Sequence, residues 1–203
     1  PYTTLFRSSL RFALNQAKKF NMHRIFIVAP YTSILDQNAE VIRSILEDDS
    51  TRGSIVLECH SNLSVEKKTE LKESEENYAR FEETWNAPVI ITTMVQFLET
   101  LFASGTKKIR RMHKLANSVL VFDEVQTLPV KTTFLFNWGL EYLVNVCGCS
   151  ALLCTATQPS LDKIGDDEKF HLRIDAEVVD NLPSHFDSLK RVDFIDMTDG
   201  GRK

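Results

Sequence analysis

No apolar run in these 203 residues approaches the roughly 18 to 20 needed to span a bilayer. The first residues also lack the basic, apolar and small-residue order of a secretory signal. No Gly-Lys pair occurs anywhere, so the phosphate-cradling loop GxxxxGK[ST] is missing. The five histidines are scattered and none is followed by aspartate, which excludes a His-Asp metal motif. Cysteines number four: Cys59, Cys147, Cys149 and Cys154. They form no paired CxxC with added histidine, so reduced thiols in a cytosolic protein are expected rather than zinc ligands. Internal repeats and low-complexity tracts are absent. The formal charge of -4 gives no overall attraction to nucleic acid, so any such binding must come from a local surface.

What is present is an ordinary globular composition, 43% hydrophobic and 26% charged, long enough for one domain with a real core. Apolar periodicity alternates between helix and strand along the chain. Leu10 to Phe20 predicts a helix. "RIFIVAP", Arg24 to Pro30, predicts a strand buried on both faces. Ser33 to Asp49 predicts a helix with Ser33 as its N-cap. Further strands are expected at Ser54 to His60, Ala87 to Thr93, Ser118 to Phe122 and Ser150 to Thr157. Helices are expected at Met94 to Ala103 and from about Thr132 to Val146. Ser64 to Phe81 is highly charged and reads as a solvated helix or mobile insertion. Lys190 to Met197 is one more possible strand. Repeated strand-then-helix order predicts an α/β fold, a parallel sheet with helices on both faces. Ligands of such sheets gather at the C-terminal ends of the strands.

The informative residues fall at those ends. "SVLVFDEVQTLP", Ser118 to Pro129, drives a buried strand into two acids, Asp123 and Glu124. An Asp at a strand end can hold Mg²⁺, directly or through water, while the metal bridges nucleotide phosphates. A neighbouring Glu can orient or deprotonate a water. Taken alone, the pair also reads as a helix cap or a solvent-facing pair. It does not stand alone. "TAT", Thr155 to Thr157, ends another strand some thirty residues later, and its hydroxyls suit hydrogen bonds to the acids. "APYTS" and "TTMVQF" bring amides and hydroxyls to two further strand ends, as phosphate contacts require.

"DEVQ" resembles the Walker B motif of superfamily 2 DExD/H helicases, and "TATQP" resembles their third motif. With "VAPYTSILDQNAEVIRSIL", "VLECHSNL", "WNAPVIITTMVQFLETLF" and "LANSVLVFDEVQTLP", the chain resembles the CRISPR-associated helicase-nuclease of type I systems over about Leu10 to Pro159. The resemblance implies a RecA-like lobe using ATP and Mg²⁺ and recruited by the Cascade surveillance complex to single-stranded DNA in the cytoplasm. Asp123 would coordinate Mg²⁺, Glu124 would activate the hydrolytic water, and Gln126 would face the γ-phosphate or the partner lobe. Thr155 and Thr157 would couple hydrolysis to movement. Pro30, Tyr31, Thr32 and Ser33 would lie on the DNA path, as would Thr92, Thr93 and Gln96. The basic run of Lys107, Lys108, Arg110, Arg111, His113 and Lys114 reads equally as phosphate attraction or as a solvated helix face.

The family's P-loop would precede the Leu10 helix. Residues 1–9, "PYTTLFRSS", hold neither glycine nor lysine and read as a non-family stretch, such as an assembly or cloning artefact. Residues 10–160 read as a partial first lobe lacking its P-loop segment. Residues 161–203 read as an acidic connector and strand leading toward a missing second lobe, and the HD nuclease domain is missing too. The expected function is thus a piece of an ATP-dependent DNA helicase, inactive by itself. Two alternatives remain open: a non-hydrolysing lobe that binds nucleic acid or Cascade, and another α/β enzyme acting on a different phosphate substrate.

Overall fold

A computed structural model describes residues 2–30, 32–59, 84–104 and 109–155, with isolated positions 177, 178, 184 and 188 beyond them. The expected Ser64–Phe81 insertion and Lys190–Met197 strand lie outside the described residues. The chain divides into two compact units, Pro1–Leu172 and Arg173–Lys203, and the described elements belong to the first.

In chain order these are α1 (Tyr2–Phe20), β1 (Arg24–Ala29), α2 (Thr32–Leu46), β2 (Val56–Cys59), β3 (Val89–Thr93), α3 (Met94–Phe102), α4 (Met112–Leu115), β4 (Ser118–Phe122), α5 (Val130–Asn145) and β5 (Ser150–Leu153). A short 3-10 turn, Val125–Thr127, joins β4 to α5. The five strands form one sheet in the order β2-β3-β1-β4-β5, and every pairing is parallel. The expected α/β parallel sheet is therefore the observed one. β1 is its centre: Ile25 pairs with Val89 on one side and Val119 on the other.

Strand alternation sorts the core into two layers. Ile25, Ile27, Val89, Ile91, Val119 and Val121 face α1 and α2, meeting Leu10, Ala13, Leu35, Ala39 and Ile42. Phe26, Val28, Ile90, Leu120 and Phe122 face α3 and α5, meeting Phe97, Phe136, Leu140 and Leu143. Helices thus cover both faces. In the second layer the Phe122 ring stands edge-on to two others, with centroids 5.0 Å from Phe97 and 5.0 Å from Phe136. Gly139 lets α5 lie close against α3, since a Cβ there would sit 2.8 Å from a Leu101 methyl.

Element boundaries differ from the sequence expectation, most clearly in three helices. The first helix runs back from Leu10 to Tyr2, because nothing between them is Gly or Pro. The second helix begins at Thr32, which puts Ser33 inside its first turn instead of at its cap, and it stops at Leu46. It stops there because Glu47 leaves the helix to accept backbone N–H groups of Gly53, Ile55 and Val56 at 3.0, 3.1 and 2.7 Å. Asp48 then closes the turn by accepting from the N–H groups of Ser50 and Thr51, both at 2.9 Å. α5 begins at Val130, with Pro129 in extended backbone as its cap and its carbonyl accepting from Thr132 N–H.

Candidate functional site

β4 carries the acids to the C-terminal edge of the sheet. Its register with β1 persists one residue past the strand, where Asp123 N–H donates to Val28 O at 2.8 Å. Phe122, locked between Phe97 and Phe136, fixes the backbone immediately before the acid. Asp123 is only 9% exposed. One of its oxygens, Oδ1, accepts from Glu124 N–H at 3.1 Å. The other, Oδ2, has no protein partner among the described residues.

Glu124 adopts the left-handed conformation, φ 53° and ψ 43°. A non-glycine residue there is uncommon and costs on the order of 1 kcal/mol or more. The reversal lets Thr127 N–H return to Glu124 O at 3.0 Å, and Thr127 Oγ1 donates to the same oxygen at 2.8 Å. It also turns the Glu124 carboxylate toward β5. Gln126 Nε2 donates to Glu124 Oε2, and Thr155 Oγ1 donates to Gln126 Oε1 at 2.5 Å. Sequence reasoning placed the Thr155 hydroxyl directly on the acids. Instead, Gln126 stands between them and links the two strand ends through both faces of its amide. Thr157 and Tyr31 lie outside the described residues.

Burial raises the Asp123 pKa from its ordinary value of 3.8, the nearby Glu124 charge raises it further, and the Glu124 N–H bond partly offsets both. Beside the acids the Cys154 thiol is pushed up to about 11, first by burial and then by the charges of Asp123 and Glu124. Sequence analysis gave this thiol no place at the site, and only its position four residues past the start of β5 signalled one. All four cysteines are free.

The sign of the Asp123 shift sets a pH dependence. Its folded pKa lies above the unfolded value, so the folded chain holds a proton that the unfolded chain has lost. Stability therefore falls as pH rises from about 4 through the raised folded pKa, and the loss is complete above it. Asp123→Asn removes the charge yet keeps an oxygen to accept from Glu124 N–H. In metal-free buffer it should be more stable than the parent at pH 7 by about 0.5–2 kcal/mol, with the difference vanishing near pH 3. Thermal melts of both proteins across that range check this. A variant no more stable than the parent at pH 7 would refute it.

The other predicted site residues fall at neighbouring strand ends. Pro30 follows β1 and is half-buried, and Thr32 and Ser33 form the first turn of α2. Thr93 caps α3, its hydroxyl accepting from Gln96 N–H at 3.2 Å. The Thr92 side chain turns inward, buried, and donates to Cys59 O at 3.0 Å. Gln96 Oε1 accepts from Arg111 Nη1 at 3.3 Å, a link between two sequence segments that periodicity did not join.

These residues can hold a divalent cation through one carboxylate oxygen. No group of three His, Cys, Asp or Glu side chains converges for a metal among the described residues. One carboxylate suits Mg²⁺, which keeps several waters and takes its remaining ligands from substrate phosphates. No helix among the described residues is long and apolar enough to cross a membrane.

Against known proteins, the profile of the DEAD/DEAH box helicases matches residues 4–164. The CRISPR-associated nuclease/helicase Cas3 of Haloferax volcanii is 26% identical over 147 residues. Those residues make up 68% of this chain, which spans 16% of the length of that relative.

Proposed function

We propose, from the premise that this chain belongs to the DEAD/DEAH box helicase family, that it is the first RecA-like lobe of an ATP-dependent DNA translocase acting in type I CRISPR interference. The observation that carries the hydrolytic part is the hydrogen-bonded row Glu124–Gln126–Thr155 beside the half-free carboxylate of Asp123. The CRISPR assignment rests on the similarity to the Haloferax volcanii protein and on the sequence blocks that resemble its family.

Asp123 offers Oδ2 to Mg²⁺, which when bound with ATP neutralises charge on the phosphates. Glu124 takes a proton from, or orients, the attacking water. Gln126 holds the Glu124 carboxylate in its left-handed turn and reports its position to Thr155. Thr155, with Thr157, passes that position toward the following segment. Pro30, Tyr31, Thr32, Ser33, Thr93 and Gln96 line a single-stranded DNA path, gripping the backbone without reading sequence, as a translocating motor requires. Thr92 serves that path from beneath, tying β3 to β2. Cascade is the proposed recruiting partner, and the cytoplasm the place of work.

A second reading has its own support. The 203-residue polypeptide contains no GxxxxGK[ST] and no other glycine loop to cradle phosphates. On this reading the lobe does not hydrolyse ATP and serves as a module that binds nucleic acid or Cascade. Its expected behaviour is to hold single-stranded DNA, to bind ATP weakly or not at all, and to unwind nothing. Phosphate release measured with and without an oligonucleotide, for this polypeptide and for the lobe supplied with a P-loop by fusion, decides between the two: turnover on fusion supports the first reading, and none supports the second. Robust DNA-stimulated turnover by this polypeptide would discard the second reading, whereas no binding to single-stranded DNA discards the strand path.

A further inference from the structure

The geometry points to Arg111 as the cation that grips a phosphodiester of the bound single strand, an inference that rests on the strand path proposed above. Its guanidinium carbon lies 5.2 Å from the centroid of the Trp85 ring. Nη1 donates to Gln96 Oε1 at 3.3 Å, a long bond to a neutral acceptor. Among the described residues Nε is buried with no partner, and so is the indole N–H of Trp85 beside it. No carboxylate pairs with Arg111 among the described residues. Of its five N–H donors, one has a partner among the described residues.

A half-buried guanidinium in this condition is out of balance. It has lost part of its water and gained no counter-charge among the described residues, and a charge so placed normally has a partner. Trp85, fully buried and packed on Phe26 with centroids 5.2 Å apart, cannot move aside. The ring therefore holds the cation flat and its planar fork is preset for an oxyanion.

Position chooses the oxyanion. Gln96 lies in the first turn of α3, directly after the end of β3, so the fork meets the edge where Thr93 lies. Lys114 takes no part: its Nζ is held by Asn86 Oδ1 at 3.3 Å, and its carbonyl accepts from Ser118 Oγ at the start of β4. In a chain of net charge -4, a cation beside Gln96 is the local attraction that strand binding needs.

The test is binding of labelled oligo-dT and oligo-dA by fluorescence anisotropy across about 50 to 200 mM salt. Arg111→Gln should weaken both oligonucleotides equally, and should reduce the slope of log K against log salt by about 0.7, the contribution of one phosphate on a single strand. Arg111→Lys should keep the slope. Gln96→Glu places a carboxylate where Gln96 Oε1 already meets Arg111, so it should lower the slope without lowering the melting temperature. Arg111→Met, which keeps an unbranched stem over Trp85 and removes the charge, should lower the slope as Arg111→Gln does and keeps the test decisive if Arg111→Gln fails to fold. Wild-type binding with an unchanged slope in both Arg111→Gln and Gln96→Glu overturns the assignment and leaves the strand path standing. A lower melting temperature for Arg111→Gln with unchanged binding assigns the guanidinium a structural role against Trp85 and Gln96 and also overturns it. No wild-type binding at all removes the strand path, and this inference with it.

Discussion

Phe122→Ala removes about 3–5 kcal/mol from the folded state, the range for truncating a buried aromatic. Phe122 is fully buried, and its ring is the middle member of a chain of three, between Phe97 of α3 and Phe136 of α5. Truncation loses both edge-to-face contacts and leaves a void between two helices that the sheet cannot close, because β4 is pinned by β1 and β5. Domains of this size hold only about 5–15 kcal/mol in total. With a urea m-value of about 2 kcal/mol/M, the midpoint should fall by roughly 2 M. Val130→Ala is the control, since Val130 is 80% exposed and its loss should stay within about 0.5 kcal/mol. A midpoint shift below about 0.5 M for Phe122→Ala contradicts the packing described.

Glu124→Gln should lower ATP turnover by about 10² to 10⁴-fold, the usual contribution of a positioned base, once the lobe is supplied with a P-loop by fusion or within a longer polypeptide. The substitution is nearly isosteric and retains an oxygen to accept from Gln126, so the fold and the KM for ATP should stay near the parent's. What is lost is the negative charge that takes the water's proton. Phosphate-release kinetics at saturating ATP measure it. A loss smaller than tenfold would move the water-activating role away from Glu124.

The sheet was legible in the sequence where strands are buried on both faces. "RIFIVA", "VIITT" and "SVLVF" are continuous apolar or small-residue runs, and all their residues but Arg24 are buried. Nothing else of that composition competes nearby. Element ends were less legible, because they are decided by side chains acting at a distance. Glu47 ends α2 by reaching six to nine residues forward, and no Gly or Pro marks the spot. The acids were legible as a pair at a strand end. The left-handed turn at Glu124 was not, since that conformation normally announces itself with Gly or Asn. For the same reason the sequence placed Thr155 against the acids and missed Gln126 between them. Arg111 was visible only as one charge in a basic run. Its distinction comes from Trp85, 26 positions earlier, and two residues so far apart share no periodicity.

The central place of β1 has a consequence in time. Arg24 meets Ser118 in the sheet, so β1 must wait for 94 more residues before its β4 neighbour exists. At a synthesis rate of about 5–20 residues per second, that delay is roughly 5–20 s. During it Phe26, Ile27 and Val28, which end up wholly inside, have one edge that no local partner can satisfy. The strand on which the whole sheet is assembled is thus the one longest exposed on the ribosome, and so the segment that nascent-chain chaperones should hold.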